Sequence, residues 1–102
     1  MFDKLLQVQR EAEEIKKRLD AIVVSGEVEG GKIKVTATAN KHIQGISIDP
    51  DFFKELDKDE LEELVAVAVN KAIEQAENVS QSEMQALSQN MLGGLGNLFG
   101  GH

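Results

Sequence analysis

Residues Ile22–Pro50 read IVVSGEVEGGKIKVTATANKHIQGISIDP, and this stretch decides the fold. Ile22, Val24, Gly26 and Val28 alternate with Val23, Ser25 and Glu27. That period of two puts one set of side chains on a core and the other in water. Gly30-Gly31 tolerates positive φ at two successive positions, so a two-residue hairpin turn is expected there. The next run sends Ile33, Val35, Ala37 and Ala39 to one face and Lys32, Lys34, Thr36 and Thr38 to the other. Asn40-Lys41 marks a second turn. The third run places Ile46 and Ile48 together and stops at Asp49-Pro50. Proline lacks the N–H that a ladder needs but suits the first turn of a helix. Three short antiparallel strands are therefore expected, with Phe52 and Phe53 closing the end of their core.

Upstream, Met1, Leu5, Val8, Ala12, Ile15, Leu19 and Ile22 follow one another at alternating spacings of four and three. This heptad seam predicts an amphipathic helix over residues 1–20 that packs lengthwise on another helix. With Leu5, Ala12 and Leu19 at a, the residues Lys4, Arg10, Lys16, Lys17 and Arg18 fall at e, f and g, which reads as a basic flank. Glu13, Glu14 and Asp20 fall at b and c. Glu13 with Lys17 and Glu14 with Arg18 have the i,i+4 spacing of weak helix-surface pairs.

Downstream, Asp57-Lys58-Asp59-Glu60 has the form of a capping box with Asp57 as N-cap. A helix without Gly or Pro should run from there to about Asn90. Its first half places Leu61, Leu64, Val65, Val67, Ala68, Val69, Ala72 and Ile73 on more than one face. One small sheet cannot cover so wide a stripe, so these residues are the expected interface with a second copy. The segment from Glu77 to Asn90 is largely polar and should project. MLGGLGNLFGGH at the end is expected to be a mobile tail. The domain reading is one unit over 1–90 and a flexible Gly-rich tail over 91–102.

A chain of 102 residues suits one domain. Two long helices leave so little for a core that an oligomer is favoured. There is no Cys, so disulfides and thiolate metal sites are excluded. Met1-Phe2-Asp3-Lys4 leads straight into charged helix, and no run approaches the roughly 18 apolar residues of a membrane span. A soluble cytoplasmic protein without membrane attachment is expected. Net charge is −7, divided between +1 over residues 1–48 and −8 over residues 49–102. Phosphate affinity comes mostly from Lys and Arg, so any contact with nucleic acid belongs to the first half.

Catalysis finds no support. Ser47 lies in a strand that ends at proline, not on a Gly-flanked strand-to-helix elbow. The histidines, His42 at a turn and His102 at the end, are too few for a metal site or a triad. The glycines of residues 93–100 have neither the spacing nor the preceding strand of a phosphate-binding loop. The carboxylates from Asp49 to Glu63 serve helix N-termini and solubility. No enzyme, cofactor, metal or small-molecule substrate is expected. The basic flank has no interleaved aromatic residues for stacking single-stranded bases, and no base-reading motif. If it binds nucleic acid, it grips a duplex by phosphates and shape.

Val24-Ser25-Gly26-Glu27-Val28, the turn leading into Lys32-Ile33-Lys34-Val35, the Ile48-Asp49-Pro50 stop and Leu64-Val65-Ala66 leading to Asn70 closely resemble the YbaB/EbfC family of bacterial nucleoid-associated proteins, over about residues 1–90. The resemblance implies an α+β fold: an N-terminal helix, a three-stranded antiparallel sheet and a long C-terminal helix, assembled as a tweezer-like homodimer. It also implies binding of duplex DNA with low sequence specificity, and a role in organising the nucleoid or tuning transcription. Lys4, Arg10, Lys16, Lys17 and Arg18 are the expected phosphate contacts, with Lys32, Lys34 and Lys41 as secondary ones. A rival reading is an acidic dimeric adaptor or chaperone that holds a partner protein between its arms.

Overall fold

The computed structural model describes residues 2–99, with side chains described over 3–87. Helix α1 (Phe2–Asp20) leads into strands β1 (Val23–Val28), β2 (Ile33–Thr38) and β3 (Ile43–Ile48), followed by a short helix α2 (Pro50–Glu55) and a long helix α3 (Lys58–Phe99). The three strands form an antiparallel sheet in sequence order. This is the α+β arrangement expected from the strand period and the two flanking helical patterns.

Register puts the alternating apolar residues on one face. Val28, Ile33 and Ile48 lie side by side, as do Gly26, Val35 and Ile46. A shift between Thr36 and Ala37 lets Ala37 pair with Ile43, so a bulge at Gln44 brings Ile43 to the apolar side as well. The first turn differs from the expected two-residue hairpin. Pairing ends at Val28 and Ile33, and Glu29, Gly30 and Gly31 all have positive φ, at 55°, 67° and 88°. The glycines do supply the left-handed backbone, but Glu29 must share it.

Helix α3 lies across β1 and β2, leaving β3 largely beyond its reach. Ala68, Ala72 and Ala76 are fully buried, and Gly26 faces them: a Cβ there would collide with the Ala68 carbonyl oxygen and the Ala72 amide nitrogen. Small residues on both sides let helix and strand backbones approach closely. Ala68 and Ala72, expected at the interface with a second copy, are therefore spent on the chain's own sheet. Leu61, Leu64, Val65, Val69 and Ile73 stay half-buried, and Val67 stays 40% exposed.

Both helix starts are capped by aspartate. Asp49 accepts from the Phe52 N–H at 3.0 Å, with Pro50 opening α2. Asp57 accepts from the Glu60 N–H at 2.8 Å at the start of α3. The Glu60 backbone and side-chain hydrogen bonds hold the Asp57 carboxyl below the ordinary carboxylate range. Phe52 packs on the core, whereas Phe53 is 52% exposed and plugs nothing. The α3 helix continues past Asn90 to Phe99. The end of the expected Gly-rich tail, residues 100–102, lies outside the described residues.

The result is elongated, 65 × 27 × 18 Å with a radius of gyration of 19.6 Å. A compact chain of this size would have a radius near 13 Å. Ile33 and Val35 are the largest fully buried side chains among the described residues. So thin a core leaves apolar surface in water. Ile46, on the core side of β3, is 50% exposed.

Candidate nucleic-acid interface

Helix α1 extends from the body like an arm. Its C-terminal end is anchored: Leu19 is buried, its carbonyl accepts from the Ala39 N–H at 3.2 Å, and Arg18 reaches Glu83 of α3 at 3.6 Å. The main clamp is Asn40 in the β2–β3 turn. Its Nδ2 donates to the Lys16 carbonyl at 2.9 Å and to Asp20 Oδ1 at 2.5 Å. Both bonds tie the β2–β3 turn to the last turn of α1. Lys41 follows in left-handed backbone at φ 69°, which turns the chain back toward β3. The sequence pattern marked Asn40 only as a turn residue, because its partners lie 20 and 24 residues away.

The eight basic candidates are not brought together. Residues on an α-helix advance by about 100°, so positions e and g lie on opposite shoulders of the seam and f lies behind it. Lys16 occupies one shoulder, Lys4 and Arg18 the other, and Arg10 and Lys17 the back. The expected single basic flank is thus a girdle around the arm. Among the described residues, Arg18 pairs with Glu83, Lys41 with Glu77 at 3.9 Å and Lys34 with Glu27 at 3.8 Å. Lys32 stands over the Phe52 ring, 5.2 Å from its centroid. The expected pairs Glu13–Lys17 and Glu14–Arg18 do not form. Lys4, Arg10, Lys16 and Lys17 remain exposed and without an ion-pair partner among the described residues.

The observed pairs are long and exposed, a class worth about 0–1 kcal/mol, so they hold their cations weakly. The arm is also neutral overall, since Asp3, Glu11, Glu13, Glu14 and Asp20 balance its five basic residues. Helix α3 has only Lys58 and Lys71 against a long series of carboxylates. The largest group of cations without an ion-pair partner among the described residues is therefore the four of α1, with Lys54 of α2 a further exposed one. No group of three or more potential metal ligands occurs among the described residues. No helix there is long and apolar enough to cross a membrane.

Comparison with known proteins bears on what this arm meets. The model of the YbaB/EbfC DNA-binding family matches residues 1–91. The chain belongs to that family. A nucleoid-associated protein of Flavobacterium johnsoniae is 36% identical over 102 residues, covering 97% of this chain and 94% of the relative. Another, from Bordetella avium, is 44% identical over 85 residues, 80% of this chain and 78% of the relative. A third, from Rhodopseudomonas palustris, is 38% identical over 96 residues, 94% and 87% of the two chains. The crystal structure of an uncharacterized Helicobacter pylori protein has the same fold, with a TM-score of 0.65 over 89% of this chain and 92% of that one, at 17% identity. YbaB/EbfC proteins are nucleoid-associated and DNA-binding, not enzymes. The resemblance carried by the Ile22–Pro50 motifs was therefore sound.

Proposed function

We propose that the chain works as a homodimer that binds duplex DNA through its phosphates with low sequence specificity, in the bacterial cytoplasm, organising the nucleoid or modulating gene expression. The observation that carries this reading is the set Lys4, Arg10, Lys16 and Lys17, exposed and unpaired among the described residues, on the projecting arm of a chain of the YbaB/EbfC DNA-binding family. The thin core and the half-exposed Ile46 support a second copy as its missing cover. Binding to phosphates releases counterions, so affinity falls steeply with salt. Four cations on each of two arms allow about eight phosphate contacts, and affinity should drop about 10⁴-fold between roughly 50 and 200 mM salt. The acidic α3 keeps the affinity low.

The test replaces Arg10 and Lys17, which share the back of α1 about 10 Å apart along the axis. Arg10→Gln with Lys17→Gln removes up to four contacts per dimer. In fluorescence anisotropy with a mixed-sequence duplex, the double variant should bind more weakly, with a log–log salt slope shallower by about four. Unchanged affinity and slope would overturn the phosphate grip and favour the adaptor reading.

A further inference from the structure

We propose, resting on the phosphate-binding reading above, that Glu77 and Glu83 of α3 mask two further DNA-binding cations, Arg18 and Lys41, and so hold the affinity for DNA down. Arg18 Nε lies 3.6 Å from Glu83 Oε2, and Lys41 Nζ lies 3.9 Å from Glu77 Oε1. Both cations belong to one junction at the root of the α1 arm. Asn40, bonded to the Lys16 carbonyl and to Asp20, ties the turn that carries Lys41 to the last turn of α1, which carries Arg18. A duplex lying along Lys4, Arg10, Lys16 and Lys17 would meet this junction at the base of the same arm.

Glu83 stands where an apolar side chain would be expected. Ala68, Ala72 and Ala76 form the buried line of α3. At about 100° per residue, Glu83 returns to within about 20° of Ala76 around the helix axis. Val79, Ser80 and Leu87 near it are half-buried, and the Glu83 side chain is only 29% exposed, against 72% for Arg18. An apolar residue there would lengthen the packed stripe, whereas a carboxylate gives up hydration. The pair with Arg18 returns little stability, being long and open to water on the arginine side. The charge acts instead on what can approach. A phosphate that takes Arg18 must come up beside a carboxylate already next to it, and like charges repel more strongly where water is partly excluded. Glu77 sets the same obstacle beside Lys41. Masking therefore depends on the position of the carboxylates and not on the strength of either pair.

The test compares two variants of equal net charge in fluorescence anisotropy with a mixed-sequence duplex. Glu77→Gln/Glu83→Gln unmasks both cations. Glu63→Gln/Glu74→Gln removes two other exposed α3 carboxylates, neither of them in an ion pair among the described residues. The unmasked variant should bind about tenfold more tightly than this control. Two new contacts per chain should also steepen its log–log salt slope by about four per dimer. Arg18→Gln/Lys41→Gln breaks the same pairs from the other side, so it loosens the junction equally but frees no cation. It should leave wild-type affinity within about twofold and erase the gain of the unmasked variant. Circular dichroism melting checks that every variant stays folded. An unmasked variant that matches the control, or a loss on Arg18→Gln/Lys41→Gln that is equal in both backgrounds, would overturn the masking. If Arg10→Gln with Lys17→Gln still weakens binding, the phosphate grip survives that result; if it does not, both readings fall.

Discussion

Gly26→Ala is the sharpest test of how this fold is held together. The added methyl would overlap the Ala68 carbonyl oxygen and the Ala72 amide nitrogen and lie 2.8 Å from Lys71 Cβ. The first two are helix backbone, so no rotamer change relieves the overlap. Carbon atoms pack best at about 3.5–4.0 Å, so α3 must retreat from β1 by roughly 1 Å. A gap of about 0.5–1 Å already forfeits a quarter to a half of each dispersion contact, and it would open along the Ala68–Ala72–Ala76 line. Overpacking costs about 1–3 kcal/mol, occasionally more, and a backbone obstacle belongs at the upper end. A loss near 3 kcal/mol is large against a total of about 5–15 kcal/mol. It should lower Tm by roughly 12–24 °C at about 4–8 °C per kcal/mol. Far-ultraviolet circular dichroism is the assay, since the chain has neither Trp nor Tyr, and protein concentration must be held constant for a self-associating chain. Two other glycines are internal controls. Gly45→Ala meets Thr36 Oγ1 at an ordinary 3.5 Å and should be nearly neutral. Gly30→Ala meets nothing within 4 Å but sits at φ +67°, so it should show only the left-handed penalty, about 1–2 kcal/mol. If Gly26→Ala were within about 0.5 kcal/mol of wild type, the range of ordinary surface changes, close approach of α3 to β1 would not be what sets the core.

Three further outcomes are expected. Ile46→Asp should weaken self-association more than about 100-fold, because a carboxylate buried without a partner costs about 3–5 kcal/mol; light scattering that gives an unchanged mass would refute the shared core. Asn40→Ala should speed amide exchange in the C-terminal half of α1 by about fivefold, the effect of losing a hydrogen bond worth ~1 kcal/mol, while β1 and β2 stay protected. Asp57→Ala should lower Tm at neutral pH. Because the folded-state pKa of Asp57 is depressed, its contribution is complete above the unfolded value of about 3.9 and fades as pH falls through the folded one. The gap in Tm between wild type and variant should therefore close in strong acid; a gap that persists there would show that the ionised cap is not its source.

Much of the fold was legible before any coordinates. Period-two runs, a heptad seam, the Asp49-Pro50 stop and the Asp57 cap are each local patterns, set by neighbours within a turn or a strand. Errors arose where one position answers to distant ones. Glu29 joins the left-handed turn because strand pairing ends at Val28 and Ile33. Ile43 faces inward only because a bulge at Gln44 shifts its register. Ala68 and Ala72 look like any apolar helix residues, and Gly26 across from them is what claims them for the chain's own core.

The candidate site divides the same way. The sequence by itself determined which side chains are cationic, that the arm carrying them is helical, and that its motifs are those of the YbaB/EbfC family. Only the tertiary structure decided which cations stay free. Arg18 and Lys41 are answered by Glu83 and Glu77, more than thirty positions away in the chain, while Lys4, Arg10, Lys16 and Lys17 find no such partner among the described residues. Helix propensity and hydrophobic period are short-range, so a linear pattern records them. Pairing of charges depends on how α3 crosses the sheet and where Asn40 pins α1, and that geometry exists only once the chain has packed.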